Sequence, residues 1–229
     1  NTVCGQRDEL RRVQCTGGKS GERRCGREQL RGEPFDKFHA RGGDGVRAGN
    51  YLGCGKGGFI SQIVVNHPEI NFIAMDIKSE MLVLAKRKIE QSCQEAGKDT
   101  DNIKIFIQNI EQFQETFGEN DHADRIYINF CNPWPKKKHK KRRLTHTRQL
   151  VNYKKILHGE LWFKTDDDEL FEESFEYFRE AGFRIKFSTW DLHSEKNIEN
   201  FVTEHEKMFT DEGKKIKFLI AEPENINQI

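Results

Sequence analysis

Beyond residue 50 the chain alternates short apolar runs with stretches whose apolar residues recur every three to four positions, and this alternation constrains the fold more than any other feature. The runs, rich in β-branched residues, predict strands at Ile70–Ile77, Ile103–Ile107, Ala123–Phe130, Glu160–Thr165, Phe183–Trp190 and Ile216–Ala221. Several are nearly continuous in apolar residues, as expected of strands covered on both faces. Between them Phe59–Val65 reads as a helix, and three stripes mark others. The first is Met81, Leu82, Ala85 and Ile89; the second is Leu170, Phe171, Phe175 and Phe178. The third is Ile198, Phe201, Val202, His205, Met208 and Phe209, at i, i+3, i+4, i+7 spacing. We read all three as core packing rather than cofactor contacts. The order predicts a doubly wound α/β sheet.

Residues 1–50 have a different composition. They hold ten of the nineteen glycines, two lysines and no isoleucine, and show no period of 2 or 3.6. Two readings stand side by side: a basic arm, disordered by composition, that touches RNA, or a segment translated out of frame, which exchanges Lys and Ile for Arg and Gly in this way. The expected organisation is therefore an atypical arm over 1–50 and a folded domain over 51–229. None of the six cysteines is spaced C-x-x-C, which argues against zinc-ribbon and thioredoxin chemistry; no metal site is expected. No apolar run reaches the length of a membrane span, and the N-terminus does not resemble a signal peptide. A cytoplasmic protein with free thiols is expected, a monomer or weak homodimer with no membrane partner. A formal net charge of +1 means that any contact with nucleic acid must come from a local patch.

In "YLGCGKGGFI", Gly53, Gly55 and Gly57 form a G-x-G-x-G turn between a short apolar start and a helix, where a backbone can approach a ligand closely. Asp76 ends the next strand about 20 residues on, where a carboxylate can accept both hydroxyls of a ribose. The plain alternative is a solvated Asp at a strand end. Nicotinamide dinucleotides and S-adenosylmethionine share this geometry. A dinucleotide site usually shows G-x-G-x-x-G, to seat the pyrophosphate on the helix N-terminus. Read with Gly57 as the third glycine, the pattern closes one residue early, which favours S-adenosylmethionine, although Gly58 also stands at the third position of the dinucleotide pattern.

The strand Ala123–Phe130 runs into "NFCNPWPKKKHKKRR". A loop at the carboxyl end of a central strand lies where ligands bind in such sheets. Pro133 and Pro135 stiffen it, and Trp134 between them is a candidate to stack on a base. From Lys136 to Arg143, seven of eight residues are Lys or Arg. Contact with a nucleic-acid backbone explains so dense a run better than a solvated surface does, because the rest of the chain is on balance acidic.

The same loop, "NFCNPWPKKKHKKRRLTH", followed by "LWFKTDD", "DLH" and "VTEHEKMF", resembles the signature of the bacterial tRNA (guanine-N7)-methyltransferases in order and spacing from about Gly53 to about Ala221. Residues 1–50 do not resemble the family's N-terminal region. The resemblance implies a Rossmann-like methyltransferase sheet, mostly parallel with a final antiparallel strand and helices on both faces. It implies S-adenosylmethionine as cofactor and tRNA as substrate, with guanosine 46 of the variable loop as target. Its cofactor positions match Tyr51, Asp76, Asn109 and Asn132, beside the loop glycines. Tyr51 stands where the family usually has Glu; Asn109 and Asn132 stand where Asp is common, each keeping polar functions. The guanine- and tRNA-contacting positions match Lys136, Asp166 and Thr203–Glu206 (Thr203, Glu204, His205, Glu206). The RNA-contact stretch matches Lys138, His139, Lys140, Lys141, Arg142 and Arg143.

Guanine N7 carries an in-plane lone pair and no proton, so no general base is needed and the protein's work is positioning and electrostatics. Positive charge moves onto the purine during transfer. Asp166, assisted by Asn132, is the candidate to stabilise it. Asp166 could equally cap the helix that follows, but Asp167 and Asp168 are available for that. Two other readings stay open: a catalytically impaired RNA-binding protein on the same fold, and a nicotinamide-dependent oxidoreductase.

Overall fold

The computed structural model describes residues 48–52 (backbone only), 54–110, 112, 117 and 121–224. The arm with Cys4, Cys15 and Cys25, as well as Gly53, lies outside the described residues, and so does the Tyr51 side chain. Among the described residues seven strands are formed: β1 Ala48–Leu52, β2 Asn71–Asp76, β3 Ile103–Ile107, β4 Ala123–Asn129, β5 Leu157–Thr165, β6 Phe183–Thr189 and β7 Lys217–Pro223. Their order is β3-β2-β1-β4-β5-β7-β6. β1 to β5 pair in parallel, and β7 inserts antiparallel between β5 and β6. The Rossmann-like methyltransferase sheet with its final antiparallel strand is therefore present. β1 begins at Ala48, so the boundary drawn from composition at residue 50 falls inside a strand.

The helices are α1 Ile60–Asn66, α2 Ser79–Glu95, α3 Thr147–Tyr153, α4 Asp168–Glu180 and α5 Glu204–Asp211. Alternation along the strands decides which side chain meets which helix. Phe72 and Ala74 of β2 and Tyr127 of β4 pack with Ile60, Ile63, Leu82, Ala85 and Ile89 of α1 and α2. Phe163 of β5 meets Phe171 of α4, while its neighbour Trp162 turns the other way to meet Tyr127. Helices thus cover both faces, and each fully buried Phe or Leu contributes about 1.5–3 kcal/mol. Of the second stripe, Leu170, Phe171 and Phe178 are buried as expected, joined by Ser174.

The third stripe needs correction. The helix starts only at Glu204, and Ile198, Phe201 and Val202 precede it. Phe201 still packs edge-on against Phe59, but Val202 and Met208 are about half exposed. The sequence carries the start signal in Thr203-x-x-Glu206, a capping pattern. Thr203 Oγ1 accepts the Glu206 backbone N–H at 3.0 Å, so the helix begins there. α3 was not marked by any apolar stripe; His146 caps it by accepting the Arg148 N–H through Nδ1.

Candidate active site

The carboxyl ends of β1, β2, β4 and β5 form one edge of the sheet, and the residues singled out above collect there. At the end of β2 the Asp76 carboxylate fixes two turns. Its Oδ2 accepts the Gly55 N–H at 3.0 Å, and its Oδ1 accepts the Lys78 N–H at 2.9 Å. Each oxygen keeps a lone pair for another donor. The adjoining backbone is tied in as well, by Cys54 N–H to Met75 O at 3.1 Å and Gln108 N–H to Asp76 O at 3.1 Å. Burial, then the nearby Asp76 charge, pushes the Cys54 thiol up to about 12, so it is no nucleophile at neutral pH. Gly57 has φ +83°, and a Cβ there would lie 2.6 Å from Ala85 Cα. This glycine therefore serves the close approach of α2 to the loop as well as the turn itself.

Beyond Asp76 the surface turns apolar. Ile77 is 62% exposed and Ile107, whose backbone pairs with Asp76, is 46% exposed. Sequence reasoning missed both, although an isoleucine directly after a strand-end acid was a readable signal. Asn109 follows β3 at the same edge, and its carbonyl accepts the Gln112 N–H at 2.8 Å. At the end of β4 Asn129 is buried, and among the described residues its Nδ2 has no hydrogen-bond partner, an uncommon state for a buried donor.

The loop after β4 is bent sharply. Phe130 and Trp134 have φ of +51° and +43°, a conformation that is costly for bulky residues. Asn132 Oδ1 accepts the Trp134 N–H at 3.0 Å, and the Phe130 N–H donates to Lys164 O at 2.8 Å. The Trp134 ring is flanked by His139, 5.7 Å between centroids, and by the Arg142 guanidinium, 5.3 Å from the ring centre. The basic run forms a 3-10 turn over Lys137–Arg142.

That run divides into two sets. Lys136, Lys137, Lys138, Lys141 and Arg142 are exposed. Lys140 instead pairs with Glu169 at 2.6 Å and with Glu173, both on α4. Arg143, expected to touch RNA, is 0% exposed. Its Nε donates to Pro133 O at 2.6 Å, and one terminal nitrogen bonds Glu173 Oε2 at 2.7 Å. A basic side chain in this position turns inward because α4 offers two carboxylates directly beneath the loop. Partial burial pushes Glu173 up, but Lys140, the Tyr177 hydroxyl and Arg143 outweigh it and hold the carboxyl at about 2.

At the end of β5 the helix cap falls to one of the two aspartates expected to be available for it. Asp167 Oδ1 caps α4 by accepting the Leu170 N–H at 2.6 Å, so Asp166 is not the cap. Asp166 is half-buried, with Lys214 Nζ 3.8 Å from its Oδ2. Burial is the main cause that raises its carboxyl above the usual aspartate value.

The Thr203–Glu206 run also divides. Glu206 is not on a solvated helix face but is 0% exposed. It accepts from Lys164 Nζ at 2.7 Å and Asn200 Nδ2 at 2.7 Å, and lies 2.8 Å from His193 Nε2. Burial opposes its charge, but Lys164, Asn200 and His193 together lower its pKa. Burial pulls Lys164 down from its ordinary value while Glu206 resists. Only partnered charges are tolerated at such depth. Glu204 and His205 are exposed; Glu204 pairs with Lys88 of α2 and leans over Gly58, and His205 stacks near Phe130 at 6.4 Å. Lys164, Asn200, His193 and Glu173 escaped the sequence reading, since nothing local distinguishes a buried partner from a solvated one.

Among the described residues, no helix is long and apolar enough to cross a membrane, and no cluster of His, Cys, Asp or Glu is placed to hold a metal.

The chain resembles known proteins along most of its length. A family model described as a putative methyltransferase matches residues 51–219. A tRNA (guanine-N(7)-)-methyltransferase of Clostridium beijerinckii is 60% identical over 176 residues, 76% of this chain and 80% of that one. The protein of the same name from Acetivibrio thermocellus is 51% identical over 173 residues, 75% of this chain and 79% of that one. A solved antibiotic-related methyltransferase shares the fold, with a TM-score of 0.59 over 83% of this chain and 92% of that one at 17% identity. With this identity across most of both chains, the protein belongs to the bacterial tRNA (guanine-N7)-methyltransferase family.

Proposed function

We infer that this sheet edge transfers a methyl group from S-adenosylmethionine to N7 of a guanosine in tRNA, with position 46 of the variable loop as the target. The carrying observation is the edge itself, where Asp76 and exposed isoleucines stand on β2 and β3 while a half-buried Asp166 and a cationic loop stand on β4 and β5. The residues fit the cofactor. Asp76 retains lone pairs for a ribose diol, Ile77 and Ile107 offer an apolar bed for a purine, and Asn129 Nδ2 is an unused donor. Tyr51, Gly53, Gly55, Gly57, Asp76, Asn109 and Asn132 are the residues assigned to hold it. When bound, it supplies a methyl group on a positively charged sulfur.

Lys136, Lys138, Lys141 and Arg142, with His139, grip the phosphates near Trp134, and the exposed Glu204 and His205 border the base, while Thr203, also expected there, is buried as the α5 cap. N7 attacks through its own lone pair, so the residues move no proton. The Asp166 carboxylate lies at the end of the strand adjacent to the Asn132 loop and stabilises the positive charge that arrives on the purine. Because N7 is on the deep-groove edge, the base must be exposed from folded RNA. The domain that starts with β1 at Ala48 carries this activity, in the cytoplasm where tRNA is.

The test uses the full chain, methyl-labelled S-adenosylmethionine and two tRNA transcripts differing only at position 46. Label enters the transcript with guanosine there and not the one with adenosine. Equal labelling of both would overturn the target position; no label in either would overturn the activity.

A further inference from the structure

We propose that Arg143 is a positioning residue for the Asn132–Pro135 loop, acting as a buried strut that ties the loop to Glu173 of α4, and not as a contact to RNA. This rests on the methyl-transfer reading above and assigns part of the basic run a different task. The geometry is specific. One guanidinium bonds the Pro133 carbonyl through Nε at 2.6 Å and Glu173 through a terminal nitrogen at 2.7 Å, while its other terminal nitrogen lies 3.4 Å from Glu169. Glu173 is fixed in turn by the Tyr177 hydroxyl at 2.8 Å and by Lys140. The whole arrangement sits at 0% exposure for Arg143, so no phosphate reaches it without unfolding the loop.

The loop needs such a strut. Phe130, two residues before it, and Trp134, within it, adopt left-handed backbone conformations, which persist only where the surroundings over-determine them. Asn132 Oδ1 holds the Trp134 N–H from within the loop, and Arg143 holds the intervening Pro133 carbonyl from below. Together they fix the direction of Asn132, the candidate cofactor and catalytic residue, and of Trp134. A lysine at 143 keeps the charge but lacks the planar fork that reaches a carbonyl and a carboxylate at once. An RNA contact tolerates that exchange; a strut does not.

The test compares Arg143→Lys with Lys141→Ala in the full chain, measuring kcat, KM for tRNA, and the salt dependence of tRNA binding. Arg143→Lys is expected to lower kcat about 10- to 100-fold, the loss typical of a misplaced supporting group, with KM and salt slope unchanged. Lys141→Ala is expected to raise KM and flatten the slope. A kcat for Arg143→Lys equal to that of the parent chain overturns the proposal, as does a loss confined to KM with a flatter slope. Should Arg143→Lys not fold, Glu173→Gln reads the same strut from its other end, and an unaltered kcat there overturns it. The parent chain in the same assay separates the two readings. Without product from the parent chain the methyl-transfer reading fails; with product there, the variants judge the strut alone.

Discussion

The two sides of the cleft are held by different forces. On the side of β1 and β2, Asp76 and the glycine loop are bound through backbone N–H groups, and the helix behind them comes close because Gly57 has no side chain. On the side of β4, β5 and α5, the supports are ion pairs, Lys164 with Glu206, buried on both sides, and Arg143 with Glu173, buried on the arginine side. Backbone bonds suit a ligand that is always the same. Side-chain ion pairs hold an otherwise strained loop and a short helix against a large, charged partner. The difference teaches that a charge run in the sequence contains both a gripping surface and the scaffold beneath it.

The largest effect that probes this contrast is on stability. Glu206→Ala leaves Lys164 buried without its carboxylate, a change that typically costs about 3–5 kcal/mol. Asp76→Ala leaves its backbone partners near water, and its main effect falls on cofactor affinity. Denaturant melts of both variants, with calorimetric titration of S-adenosylmethionine, check the contrast. Equal stability losses would erase it.

Next in size is Asp166→Asn, expected to lower kcat about 100-fold, the scale of losing one preorganised electrostatic group. The Asp166 pKa is raised in the fold, so its ionisation works against folding. The stability linked to its protonated form is present below the unfolded value and is lost as pH rises through the folded one. At neutral pH the amide variant should therefore melt slightly higher while turning over more slowly. In the parent chain kcat should fall as pH drops through the raised Asp166 pKa, and the variant should lose that limb. A lower melting temperature, or an acid limb retained in the variant, contradicts this.

The smallest effect separates the two sets of lysines. Lys138→Ala is expected to reduce the salt slope of tRNA binding by about 1. Lys140→Ala should barely change it, because its charge is already matched by Glu169 and Glu173. Identical slopes for the two variants would mean that the division of the run is not maintained in the complex.

Much of the fold was readable in the residues. The run Ile103–Ile107, broken only by Lys104, became a strand with the same bounds, the other expected strands formed with one or both ends shifted by one to three residues, and Leu170, Phe171 and Phe178 bury the face that their spacing assigned. The cofactor side was readable for the same reason, since a glycine turn and a strand-end acid are tied to local spacing. The other side was legible as a set of residues but not as an arrangement. Whether Arg142 or Arg143 faces water depends on α4, some 30 positions later in the chain. Likewise Glu206 reads as a polar helix position until Lys164 on a distant strand is brought beneath it. The late start of α5 was missed because the stripe from Ile198 to Phe209 has helical spacing although its first half is not helical. Phe201 is held there by packing on Phe59, a tertiary contact that no local period reports.

The most direct measurement is the identity of the product. Purified protein, unmodified tRNA and methyl-labelled S-adenosylmethionine are incubated under single-turnover conditions, and the RNA is digested to nucleosides. The account predicts that the label appears as N7-methylguanosine, is lost with Asp166→Asn at early times and accumulates slowly thereafter. Label on another base or another atom of guanine, or an intact tRNA without label beside a cofactor that binds, would contradict it.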